Sequence, residues 1–77
     1  MPTVLREAGF RLFFYSIDRN EPPHIHVEGR GGTAKFWLDP IVFGHSRNLK
    51  PKDLKAARDL VSKHRSLLLE AWDDFFG

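Results

Sequence analysis

Hydrophobic and polar positions change their period in the middle of the chain. Up to residue 38 the apolar residues fall in short, roughly alternating runs broken by glycine, and from residue 51 they recur every three to four positions. That pattern predicts strands first and a helix last. Residues 4–7 and 10–16 are rich in β-formers and flank Ala8-Gly9, a two-residue hairpin loop. Residues 24–28 and 33–38 flank Gly29-Arg30-Gly31-Gly32, a second hairpin. Residues 17–23 hold Asp18, Asn20 and two prolines, which suits an exposed loop in which Pro22-Pro23 is stiff, extended backbone. Residues 41–49 read as either a short edge strand or an ordered loop.

The helix is expected to begin at Pro51, because proline at the first helical position loses no hydrogen bond; Lys50 is then a poor cap. Steps of about 100° per residue put Leu54, Ala57, Leu60, Val61, His64, Leu67, Leu68, Ala71, Trp72 and Phe75 on one arc and turn Leu69 toward solvent. Alternation likewise sorts the strands. Leu5, Phe10, Leu12, Phe14, Ile25, Val27, Ala34, Phe36 and Leu38 make a core face under the helix. Val4, Arg6, Arg11, Phe13, Tyr15, His24, His26, Glu28, Lys35 and Trp37 make a second face, both aromatic and cationic. Arg6 would lie opposite Arg11, a repulsive pair unless an anion or an acidic group lies nearby. The expected fold is α+β: one domain over 1–77, with a four-stranded antiparallel sheet of two hairpins and connecting loop in 1–49, and one long helix in 50–77.

Composition narrows the chemistry. Seventy-seven residues make one small domain, and 42% hydrophobic with 13% aromatic residues is a globular composition. There is no cysteine, which excludes disulfides and thiolate-held metals. No apolar run approaches the ~20 residues of a membrane span, and Arg6 and Glu7 interrupt any leader-like start, so a cytoplasmic protein with no membrane role is expected. The net charge of +2 hides a basic stretch at 47–65, where Arg47, Lys50, Lys52, Lys55, Arg58, Lys63 and Arg65 outnumber Asp53 and Asp59.

Several residues are candidates for function. Aromatic rings with cations on an open sheet are the composition that stacks unpaired bases and neutralises phosphates. The same surface could bind a partner protein or a second copy, so Arg11, Phe13, Tyr15, His24, His26, Lys35 and Trp37 are the candidate binding residues for protein, RNA or DNA. His24 or His26 with Arg11 and Lys35 would also supply the acid, base and phosphate clamp of a metal-independent ribonuclease. His24, His26 and Glu28 project from one side of a strand, the two histidines about 7 Å apart at the backbone, and are the ligand types of a mononuclear metal site. His45 stands in the 41–49 segment, His64 is expected to bond a backbone carbonyl, and Trp72 and Phe75 are expected to close the core with Phe76 outside it. No motif calls for a cofactor.

The strings Met1-Pro2-Thr3-Val4-Leu5-Arg6, Phe13-Phe14-Tyr15-Ser16, Glu21-Pro22-Pro23-His24-Ile25-His26-Val27, Ala34-Lys35-Phe36-Trp37-Leu38-Asp39-Pro40 and Leu68-Leu69-Glu70-Ala71-Trp72 occur in that order. Together they resemble the small bacterial proteins grouped as domain of unknown function 4160. The resemblance implies motif positions at Glu21, Pro22, Pro23, His24, His26, Lys35, Phe36, Trp37 and Trp72, without a catalytic assignment. It also implies a toxin–antitoxin-like gene pair. The expected function is therefore a non-enzymatic interaction module, with the ribonuclease toxin and the His-His-Glu metal site as alternatives.

Overall fold

In the computed structural model, which describes residues 3–77, the first hairpins form where alternation places them. β1 (Thr3–Glu7) pairs antiparallel with β2 (Phe10–Phe13), with Leu5 opposite Leu12 and Arg6 opposite Arg11. The two residues between them take positive φ, 54° at Ala8 and 79° at Gly9, which matches the twist of the flanking strands. β3 (His24–Gly29) and β4 (Gly32–Leu38) meet in the same way through Arg30 and Gly31 at φ 52° and 87°. Gly29 pairs with Gly32, which shortens the predicted four-residue loop. The Arg30 guanidinium donates to the Ala8 carbonyl at 3.0 and 3.2 Å and to Asp53 at 3.0 Å, so one side chain joins both turns to the helical layer. Met1 and Pro2 of the opening motif lie outside the described residues.

The sheet has five strands, where four were expected. β5 (Ile41–Arg47) pairs with β4, and the antiparallel order is β1-β2-β3-β4-β5. Phe43 lies opposite Phe36 and His45 opposite Lys35, with Gly44 as the extra residue between them. A Cβ there would come within 2.9 Å of the Lys35 carbonyl oxygen, which is why the bulge holds a glycine. The bulge keeps Phe43 on the core side and turns His45 to the other side, so no single alternation runs through 41–47. A second irregularity lies between Thr3 and Leu5. There Val4, expected on the second face, packs against the core beside Leu5. β2 also ends at Phe13, short of the predicted Ser16, and the chain continues into a 3₁₀ helix, Ser16–Asn20.

The predicted long helix is two helices, α1 (Pro51–Lys63) and α2 (Arg65–Phe76), broken at His64 with φ −107° and ψ 19°. No glycine or proline stands between 52 and 76, so the break has a tertiary cause. Lys63 Nζ and His64 Nε2 each lie 3.0 Å from the Glu7 carboxylate, while Arg65 donates to the Leu38 carbonyl and to Asp39, each at 2.8 Å. Three consecutive side chains thus reach two ends of the sheet, Lys63 and His64 to β1 and Arg65 to the end of β4, and His64 bonds a carboxylate where a backbone carbonyl was expected. The break rotates the buried arc. Ala57, Leu60, Val61, Leu68 and Trp72 are buried, but Leu67 and Phe75 are 45% and 48% exposed. Leu69 and Phe76, expected outside, pack against the core.

Both helices cover the face carrying Phe10, Leu12, Phe14, Ile25, Val27, Ala34, Phe36 and Leu38. Phe14 anchors the far end, its ring centroid 5.3 Å from those of Trp72, Phe75 and Phe76. Among the described residues no helix is long and apolar enough to cross a membrane.

Two outcomes follow for stability. Leu68→Ala should cost about 2–5 kcal/mol in urea unfolding, whereas Leu67→Ala should stay within about 0.5 kcal/mol; equal costs would mean an unbroken helical phase. Hydrogen bonding to Lys63, with help from His64, holds the Glu7 carboxyl below its ordinary range. The folded form therefore gains stability above the unfolded carboxyl's pKa, and loses it as pH falls through the lower folded value. Glu7→Gln should flatten the decline in melting temperature below about pH 4.5, and an unchanged slope would contradict the assignment.

Candidate functional site

The second sheet face has no helix over it, yet its rings other than Tyr15 are largely covered. The Arg11 guanidinium lies 4.0 Å from the Phe13 ring centroid and donates to Glu28 at 3.1 Å. Phe13 is only 4% exposed, stacked on His26 at 5.5 Å and met edge-on by Tyr15 at 5.3 Å. Lys35 Nζ sits 4.4 Å from the Trp37 ring and 2.9 Å from Glu21. Each cation is thus shared between a ring and a carboxylate. Glu28, opposite Arg11 on β3, is the acidic group that the Arg6 and Arg11 pairing requires.

Beyond β2 the 3₁₀ helix folds toward the start of β3 and carries Asp18 into the sheet. Asp18 closes that turn on itself, since its Oδ2 accepts the Tyr15 N–H at 2.8 Å and its own N–H donates to the Tyr15 carbonyl at 3.0 Å. The same oxygen lies 3.0 Å from His24 Nε2 and 3.2 Å from His26 Nε2. Pro22-Pro23 leads directly into β3, and the Pro22 carbonyl accepts a hydrogen bond from His24 Nδ1 at 3.0 Å. The His24 ring is fully buried, with centroids 5.4 Å from Trp37 and 5.0 Å from Trp72. His26 lies at right angles to it, 5.0 Å away.

The electrostatics follow from this enclosure. Burial opposes charge on Asp18, but the Tyr15 N–H and the two imidazoles outweigh it and hold its carboxyl below the ordinary range. Burial lowers the His26 pKa against the upward pull of Asp18, which favours a neutral ring at neutral pH. Hydrogen bonding to Lys35 lowers Glu21 in the same way. The cluster is a carboxylate between two imidazoles.

Of the predicted site residues, the fold brings His24 and His26 together and places Phe13, Tyr15 and Trp37 around them. Glu28 is turned to Arg11, and Asp18 stands where Glu28 was expected among the metal-ligating types. The signal for Asp18 was its position in the loop that leads into β3, next to the histidines in space though not on their strand. Arg11 and Lys35 are each engaged by a carboxylate, and His24 is sealed from solvent. His45 stands exposed on β5 opposite Lys35. Lys55 is paired with Asp59, Lys63 with Glu7 and Arg65 with Asp39. Arg47, Lys50, Lys52 and Arg58 have no carboxylate partner among the described residues.

Residues 9–73 match the family described as Domain of unknown function (DUF4160). No curated protein and no solved structure matches the chain. The matched span holds Asp18, His24 and His26, the rings around them and Trp72, and on that match the chain belongs to the DUF4160 family.

Proposed function

We propose that this domain is a non-enzymatic interaction module that takes an extended, acidic segment of a partner protein along the outer edge of β5. The observation that carries the proposal is the pair of grooves flanking that edge. On the helix side, Phe36, Phe43, Pro51, Leu54, Lys55 and Arg58 line a groove of about 340 Å³. On the other side, Pro22, Pro23, Trp37, Asp39, Pro40 and Val42 line one of about 280 Å³. A strand added to an open edge sends alternate side chains to opposite faces, so apolar residues of one segment would enter both grooves while its backbone pairs with β5.

The charge of the surroundings supports an acidic partner. Arg47, Lys50, Lys52 and Arg58 are unneutralised near this edge, whereas Arg11 and Lys35 of the second face are each paired with a carboxylate. Two copies paired through β5 would bring like charges together, which favours a different chain over self-association. Base stacking is less well supported, because Phe13 is covered and Lys35 occupies the Trp37 ring. Of the predicted binding face, Trp37 lines one of these grooves, while Arg11, Phe13, Tyr15, His24, His26 and Lys35 line neither. The first partner to test is the product of the neighbouring gene, as the likeness to toxin–antitoxin-associated proteins implies.

Co-expression with that product, followed by calorimetry and amide shift mapping, tests the reading. Phe43→Ala and Arg58→Glu should each weaken binding at least about tenfold, or 1.4 kcal/mol, with shifts concentrated at 41–47. Binding that ignores both variants, a footprint on β1 and α2, or retained nucleic acid in place of the partner would overturn it.

A further inference from the structure

The His24 ring leaves an unresolved demand that partner docking does not meet. Its Nδ1 must carry the proton, because a carbonyl oxygen can only accept and the Pro22 carbonyl is 3.0 Å away. In the neutral ring Nε2 then presents a lone pair. That atom is buried without a hydrogen bond, although Asp18 Oδ2 is only 3.0 Å from it. Two lone-pair-bearing atoms at that distance repel unless a proton or a metal cation lies between them, and an orphaned buried polar atom is costly.

We propose that Asp18 Oδ2, His24 Nε2 and His26 Nε2 bind one divalent transition-metal cation of the Zn²⁺ or Fe²⁺ class. All three residues offer ligand atoms within 4.8 Å of one another. Bonds of about 2.0–2.2 Å to nitrogen and oxygen bring neighbouring ligand atoms to about 3–3.5 Å, and Asp18 already stands 3.0 and 3.2 Å from the two ring nitrogens. His26, whose side chain is 20% exposed, is the ring with room to close the remaining side. His24 is held as ligating histidines are, with its far nitrogen donating to a backbone carbonyl, and Asp18 is steadied by the Tyr15 N–H. Two imidazoles and one carboxylate without thiolate suit zinc or ferrous iron. The ion would bind the 3₁₀ helix to β3 and, through His24 against Trp72, to α2. It would keep at least one coordination position for water on the His26 side.

The test uses the full chain after chelator dialysis. It is titrated with Zn²⁺ by calorimetry and with Co²⁺ by visible absorption, while the four histidine rings are followed by NMR. The expected result is one saturable equivalent, a rise in melting temperature, and shifts at His24 and His26 but not at His45 or His64. Because His24 is buried between two tryptophans and its replacement endangers folding, the variants are Asp18→Asn and His26→Gln, with folding checked by circular dichroism. Each should weaken binding by more than about tenfold, the scale of losing even an outer partner of a ligand, and Glu28→Gln should leave it unchanged. Absence of a saturable equivalent, shifts confined to His45 or His64, or affinity indifferent to both folded variants would overturn the proposal. If neither variant folds, the wild-type ring shifts decide.

Discussion

A five-stranded sheet with helices on one side has a bare second face, and among the described residues no helix lies over it. Rings left open to water there would lose the burial that stabilises small domains. This chain covers them with its own charged side chains. Arg11 lies over Phe13 and Lys35 over Trp37, their aliphatic stems adding apolar contact while Glu28 and Glu21 take the charge. The covering works because the strand register sets each cation two residues from its ring and within reach of its acid. A surface that reads as aromatic and cationic is thereby nearly neutral and largely closed.

The same constraint explains the 3₁₀ helix. The uncovered end of β3 would expose His24 and His26 beside Trp37, and the β2–β3 connection folds over them and inserts Asp18. One carboxylate oxygen then organises the loop through Tyr15 and both imidazoles. Trp72 closes His24 from the helical layer, so the cluster joins the bare face to the core. The unmet nitrogen of His24 lies where the three elements converge, and a cation there would act on all of them.

Once the second face covers itself, the surfaces still open are at the margins. β5 is an edge strand of seven residues without proline, and its outer side is unpaired among the described residues, so it is open to pairing on either side of its bulge. Ordinary alternation aims Val42 and Phe43, opposite Trp37 and Phe36, to opposite sides, toward separate grooves. The break at His64 contributes by letting α2 follow the sheet toward β4, with Arg65 on Leu38 and Asp39, while α1 stays beside Phe43.

The two hairpins, their register, the core face and the start of the first helix at Pro51 were legible in the chain, because period and turn chemistry are local properties. Asp18 at the histidines and the broken helix were not, and the fifth strand was legible only as one of two readings of 41–49, for related reasons. A bulge erases alternation at 41–47. A helix without glycine or proline carries no mark of a break made by Glu7, Leu38 and Asp39. The partners of Arg11, Lys35, His24 and His64 are likewise 17, 14, 6 and 57 residues away in the chain. Local pattern decides which way a side chain faces; only the folded arrangement decides what it meets there, because that depends on distances between segments that no periodicity encodes.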